Sequence, residues 1–293
     1  MILAPLDDSE VIDKIARDIL VGSGAIGKFP TPIDDIIAYT GLSIANGIDL
    51  SHPEAEFLNL TKGFFGTISR KVLGMIDLRD KIIYLDQSQP KPRKNFVSLH
   101  EVGHGVLPWQ RDLMGCLDDE TTLGPEIEEL YERQASYFAS SSLFQLDRFE
   151  EEAVRLPLSI ASARALGQMF GGSFQAALRR YVERSPERCA LLVLRKPARK
   201  GVYRAVIGNY FESRSFRRSF GGLLWPAECG LRFEFVKDMK RGRRDHQNGQ
   251  IGCTTRDLDP LTLNYDFFYN SYNFFVLLYP PGENNFPLPR III

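Results

Sequence analysis

Apolar positions along the chain change their period several times, and each change marks an element. Val11, Ile12, Ile15 and Ile19 recur at helical spacing, so residues 8–20 read as an amphipathic helix capped by Asp8 or Ser9. Thr31 as N-cap and Pro32 in the first helical position predict a second helix, with Ile33, Ile36 and Ile37 inward and Gly41 closing it. A strand is expected at 42–45. Residues 71–86 alternate as a hairpin does, with Val72, Gly74 and Ile76, a turn at 78–81, then Ile82 to Leu85. Pro90 and Pro92 break the chain, and the helical period resumes from Arg93 to Leu107, where Pro108 stops it. After a polar loop over 109–124, Pro125 opens a long helix to about residue 147, with Ile127, Leu130, Ala135, Phe138 and Leu143 apolar. A compact helical pair follows over 158–185, with Ser159 and Ser173 as caps around the Gly171-Gly172 turn. Beyond Pro186 the apolar runs shorten to strand length at 189–194, 202–207, 231–236 and 273–279, which predicts a mixed, strand-containing domain from about 186–188 onward.

Totals alter this picture only modestly. The 293 residues, 44% hydrophobic and 25% charged, suit one large or two smaller globular domains that need no metal or disulfide in order to fold. A metal site here would therefore be catalytic rather than structural. The four cysteines, 116, 189, 229 and 253, form no C-x-x-C pair, and reduced thiols in the cytoplasm are the simplest expectation. No signal-peptide pattern opens the chain, and no apolar run reaches the roughly 20 residues that span a bilayer, so no membrane partner is expected. The net charge of -1 is unevenly spread. Residues 112–152 carry twelve Asp and Glu against two Arg, whereas 195–246 carry fourteen Lys and Arg against five acids.

The chemistry concentrates at His100-Glu101-Val102-Gly103-His104. Two histidines four apart on a helix share a face, so both imidazoles can converge on one ion. Glu101, one position on, is turned away from the ligand face yet lies close enough to take a proton from water at the metal and pass it to a leaving amine. Gly103 is expected to leave space beside the metal. A third ligand is needed. An extended three-histidine motif is excluded because Gln110 stands where its last histidine would be. His52 and His246 have no supporting pattern. Glu126, Glu128, Glu129 and Glu132 on the next helix are candidates; Glu132 shares an apolar stripe with Ala135, Phe138 and Ala139, and Glu128 comes second. Imidazole and carboxylate ligands suit one divalent metal, zinc first, with manganese as the alternative.

These residues resemble the ImmA/IrrE family of metallopeptidases. Four features carry the resemblance: the His100–His104 motif; Glu132-Arg133-Gln134-Ala135-Ser136-Tyr137-Phe138-Ala139, in which Ser136 replaces the usual Asn; the hairpin before the motif helix; and Leu158-Ser159-Ile160 with Phe174 to Arg180. The resemblance implies an α+β fold: a zincin-like (gluzincin-like) metallopeptidase core with a small antiparallel sheet, a helical pair and a C-terminal mixed α/β, GAF-like domain. It implies that His100, His104 and Glu132 hold the metal and that Glu101 is the general base and acid. The corresponding domains are 1–155 for the peptidase, 156–186 for a helix-turn-helix-like segment and 187–293 for a GAF-like sensor. The implied activity is cleavage of a helix-turn-helix, Xre-type repressor, which switches on stress-response or mobile-element genes. The other reading is a non-cleaving DNA-binding or protein-binding regulator on a peptidase scaffold. Arg179, Arg180 and Arg184 on the helical pair and the basic run 240–244 are the features that could touch nucleic acid, and Cys116 is a candidate redox plug.

Overall fold

A computed structural model of the chain describes residues 8–45, 74–111, 124–195 and 204–282. Cys116, His52, the acidic positions 112 and 118–120, and the start of the 71–86 hairpin lie outside the described residues. The chain packs as two compact units, one of residues 1–149 with 168–173, the other of 150–167 with 174–293.

In the first unit, α1 (Ser9–Gly22) buries Ile12, Ala16, Ile19 and Leu20. Asp8 is its N-cap, but its side chain makes no capping bond. The carboxylate accepts instead from Gln134 Nε2 at 2.9 Å. α2 (Ile33–Tyr39) begins one residue later than the sequence suggests, with Pro32 as the N-cap. Thr31 does not cap it: its hydroxyl donates to the Leu143 carbonyl at 2.7 Å and accepts from Gln145 Nε2 at 3.0 Å. A long-range bond in a buried setting has outcompeted the local one.

β1 (Ser43–Ile44), β2 (Gly74–Asp77) and β3 (Ile82–Leu85) form a three-stranded sheet in the order β1-β3-β2. β2 and β3 are the expected antiparallel hairpin, and β1 joins β3 in parallel, so the small sheet is mixed. The turn is held by Asp77 Oδ1, which accepts from the backbone N–H groups of Arg79 and Asp80. α3 (Lys91–Val106) starts before Pro92 rather than after it. Proline is tolerated in a first turn because that N–H has no intrahelical partner. Leu107 turns extended ahead of Pro108 and ends the helix. α4 (Pro125–Leu143) begins at its proline as expected and stops a turn short of the expected end. Tyr137 and Ser141 on α4 both donate to the Asp13 carboxylate of α1, which ties the two helices together.

After α5 (Asp147–Ala153), α6 (Ile160–Phe170) is capped by Ser159, whose hydroxyl accepts from Ser162 N at 3.1 Å. Gly171, at φ +76°, makes the left-handed turn before α7 (Phe174–Arg184). The second unit is built on a six-stranded antiparallel sheet, β4 (Ala190–Arg195), β5 (Ala205–Glu212), β6 (Glu228–Cys229), β7 (Asp245–Thr254), β8 (Pro260–Tyr269) and β9 (Asn273–Tyr279), ordered β6-β5-β4-β9-β8-β7. α8 (Arg214–Phe220) is capped by Ser213, and α9 (Glu234–Lys240) takes the end of the run 231–236 that reads as a strand in the sequence, the rest of it forming the turn before that helix. One sheet face packs Leu192, Leu194, Tyr265, Phe267 and Val276 with Phe216, Phe233 and Phe235. On α7, Arg179 pairs with Glu183, and Arg180 and Arg184 with Glu150, so the arginines that suggested nucleic-acid contact are engaged in ion pairs. Among the described residues no helix is long and apolar enough to cross a membrane.

Candidate metal centre

The site is assembled by packing α3 against α4. Gly103 is the point of closest approach: a Cβ there would stand 3.1 Å from Ala135 Cα and 3.2 Å from Phe138 Cδ1. The glycine therefore serves helix–helix contact, not the space beside a metal that the motif suggests. Gly105 does the same on the other side, where a Cβ would meet Ile76 and Leu42 of the small-sheet region. The motif helix is thus held between α4 and the sheet, and its histidine face is fixed relative to Glu132.

Three side chains converge. His100 Nε2 and His104 Nε2 are 3.2 Å apart. His100 Nε2 is 3.2 Å from Glu132 Oε2, and His104 Nε2 is 3.4 Å from Glu132 Oε1. Ligands about 2.0–2.1 Å from a tetrahedral zinc stand roughly 3.3–3.4 Å from one another, so these separations suit one ion. Among the described residues this is the one cluster of three or more His, Cys, Asp or Glu whose donor atoms all lie within 4.8 Å. Glu126 and Glu128 in the first turn of α4, and Glu129 after it, are exposed and take no part. His246 lies in the second unit, with Nδ1 2.6 Å from the buried Asp238 carboxylate.

Outer partners orient both rings. Ser136 Oγ lies 3.3 Å from His100 Nδ1, so the position that departs from the resembled pattern still faces a candidate ligand. Gln110 Oε1 lies 2.8 Å from His104 Nδ1. Glu101 is 7% exposed and sits under β2, where a Cβ on Gly74 would approach its Oε1 to 2.9 Å. Burial pushes the Glu101 carboxyl up and the Glu132 charge adds to that, while the two imidazoles partly offset the rise. Burial alone would lower His104, but its bond to Glu132 and the charges of Glu101 and Glu132 outweigh it, and the net shift is upward. Burial would raise Glu132, yet hydrogen bonds from His100 and His104 hold it well below the ordinary carboxylate range. A carboxyl of raised pKa beside two oriented imidazoles and an ionised carboxylate is an arrangement suited to moving a proton next to a cation.

Gln110, Gln134 and Gly74 carry no motif signal in the sequence. Gln110 enters that reading only as the place where a histidine is missing. The three described cysteines form no disulfide with one another, and burial pushes Cys229 up to about 11 and Cys253 up to about 12, so both stay protonated at neutral pH.

Fold and site together define a metallopeptidase-like domain. Residues 64–181 match the model of the IrrE N-terminal-like domain, peptidase family M78. A solved Mycobacterium tuberculosis transcriptional regulator has a similar fold, with a TM-score of 0.54 over 93% of this chain and 90% of that one, at 14% identity. No match is found among the curated proteins.

Proposed function

We propose that this protein is a metal-dependent endopeptidase in which His100, His104 and Glu132 hold one divalent ion, zinc by preference and manganese as the alternative. The observation that carries the reading is the convergence of two Nε2 atoms and one carboxylate at 3.2–3.4 Å, with the buried Glu101 on the neighbouring helix position. Bound there, the ion would supply Lewis acidity to a water and to the scissile carbonyl. Glu101 would accept a proton from the attacking water on its carboxylate and return it to the departing amine. Its raised pKa suits both halves of that task, because a group that must accept and then return a proton works best near the operating pH. β2 is an edge strand of the small sheet next to Glu101, and an extended substrate could add to it as a further strand.

The substrate proposed is a cytoplasmic helix-turn-helix repressor of the Xre type, whose cleavage would release stress-response or mobile-element genes. Support comes from the family match and from the acidic stretch 112–152, which would attract a basic DNA-binding protein. Residues 187–293 are proposed as a GAF-like sensor domain that controls the peptidase. A second reading, a non-cleaving transcriptional regulator, is favoured by one observation: the structurally similar mycobacterial protein is a transcriptional regulator.

Two measurements decide. Metal content is compared among wild type, His104→Ala and Glu132→Ala; about one ion per chain, lost in both variants, is expected. Repressor integrity is then followed with wild type and Glu101→Gln. Cleavage by the wild type alone supports the peptidase. An ion bound by a protein whose regulatory output is indifferent to Glu101→Gln would establish the non-cleaving regulator instead.

A further inference from the structure

A chain of four polar side chains runs from the N-cap of α1 to the back of His104. Asp8 Oδ2 accepts from Gln134 Nε2 at 2.9 Å. Gln134 Oε1 accepts from Trp109 Nε1 at 2.8 Å and from Gln110 Nε2 at 2.8 Å. Gln110 Nε2 also donates to the Tyr131 carbonyl at 3.2 Å, and Gln110 Oε1 meets His104 Nδ1 at 2.8 Å. Gln110 is 0% and Gln134 1% exposed, so both amides are shielded from bulk solvent and depend on these partners.

The direction of every bond follows from the ends of the chain. An indole N–H only donates and a carboxylate only accepts. Trp109 therefore demands the oxygen of the Gln134 amide, and Asp8 demands its nitrogen. Gln134 can then present only an acceptor to Gln110. The Tyr131 carbonyl makes the same demand of the same Gln110 atom. Both fix Gln110 with its nitrogen towards α4 and its oxygen towards His104. Facing an acceptor, His104 Nδ1 must carry a proton, so that in the neutral ring Nε2 holds the lone pair, on the side of His100 and Glu132.

We propose that Gln110 is a positioning residue that sets the His104 tautomer and ring plane for metal binding, with Gln134 and Asp8 holding Gln110 in its working orientation. The metal role of His104 rests on the metallopeptidase reading; the tautomer does not. Free imidazole exchanges its proton between the two nitrogens, and a ring held as the Nδ1–H form meets a metal at Nε2 without rearranging. Outer partners of this kind typically change metal affinity by about 10–100-fold.

The test uses the full chain, stripped of metal and labelled with 15N in its imidazoles, at a pH where imidazoles are neutral. His104 in the wild type is expected to carry its proton on Nδ1. Gln110→Met keeps the size of the side chain and removes the acceptor, so it should shift His104 towards the Nε2–H form and weaken zinc binding about 10–100-fold. Asp8→Ala, at an exposed position, should loosen the same relay with a smaller loss of zinc affinity, and it serves if Gln110→Met does not fold. A wild-type His104 protonated on Nε2, or an unchanged tautomer and zinc affinity in the variants, overturns the proposal. A wild type with the Nδ1–H ring that binds no zinc would instead leave the relay standing and remove the metallopeptidase reading.

Discussion

Gly103 and Ala135 set the distance between the two helices that carry the candidate metal-site residues. A Cβ on Gly103 would fall 3.1 Å from Ala135 Cα and 3.3 Å from its carbonyl oxygen, both backbone atoms that cannot rotate aside. The histidines lie on one helix and Glu132 on the other, three residues before Ala135. Any widening of this contact therefore separates the candidate ligands directly.

Gly103→Val should accordingly push α3 and α4 apart. Overpacking of a close interface costs about 1–3 kcal/mol, and zinc affinity should fall with stability because Glu132 moves with α4. Urea unfolding and zinc competition on the same protein check this. Lost stability with zinc affinity intact would mean that the helix spacing does not govern the site.

Gly74→Ala addresses Glu101 and leaves the metal side chains alone. Its Cβ would lie 2.4 Å from Val97 Cγ1 and 2.9 Å from Glu101 Oε1. The carboxylate must give way, while His100, His104 and Glu132 lie elsewhere. Repressor cleavage should fall at least tenfold, equivalent to about 1.4 kcal/mol in the barrier, with metal content unchanged. Single-turnover cleavage and metal analysis read the two quantities separately.

The first unit was the more legible in the sequence. Its signals are local: a five-residue motif, prolines at helix starts, and apolar stripes of helical period. What stayed hidden there depends on distant pairs. Thr31 looks like a cap but bonds to Leu143, and Gln110 acquires its role only from Gln134 and Asp8. The second unit was harder. β7 is largely exposed, so no apolar alternation marks it, and glycines at 249 and 252 interrupt it further. The run 231–236 is apolar at Phe233, Phe235 and Val236, which pack on the sheet residues of the same core as a turn leading into α9. Tertiary packing decided that element where propensity was indifferent.

Within that second unit, Asp238 is 1% exposed and binds Tyr265 Oη at 2.7 Å, His246 Nδ1 at 2.6 Å and Arg243 Nη1 at 3.0 Å. Arg241, 3.7 Å away, is mostly solvent-exposed. Tyr265→Phe removes a donor from a buried charge and should cost about 1.5–3 kcal/mol. Arg241→Ala should cost less than about 1 kcal/mol, as exposed ion pairs do. Equal losses in urea unfolding would show that Asp238 is hydrated rather than dependent on its protein partners.

Glu101→Gln should separate stability from function, and pH should reveal it. Burial raises the Glu101 pKa above the ordinary carboxylate value, so the folded protein binds this proton more tightly than the unfolded chain. Below the ordinary range both states are protonated, and Glu101 carries no penalty. As pH rises, the unfolded chain releases the proton first, and the folded state loses stability until pH passes the raised value. Glutamine never ionises and escapes that loss. In metal-free protein, Glu101→Gln should therefore match the wild type in acid and melt at a higher temperature near neutral pH, while cleaving no repressor. Thermal melts in chelator across that range make the comparison. A variant less stable than the wild type at neutral pH would mean that the Glu101 charge is sustained by the two imidazoles rather than opposed by burial.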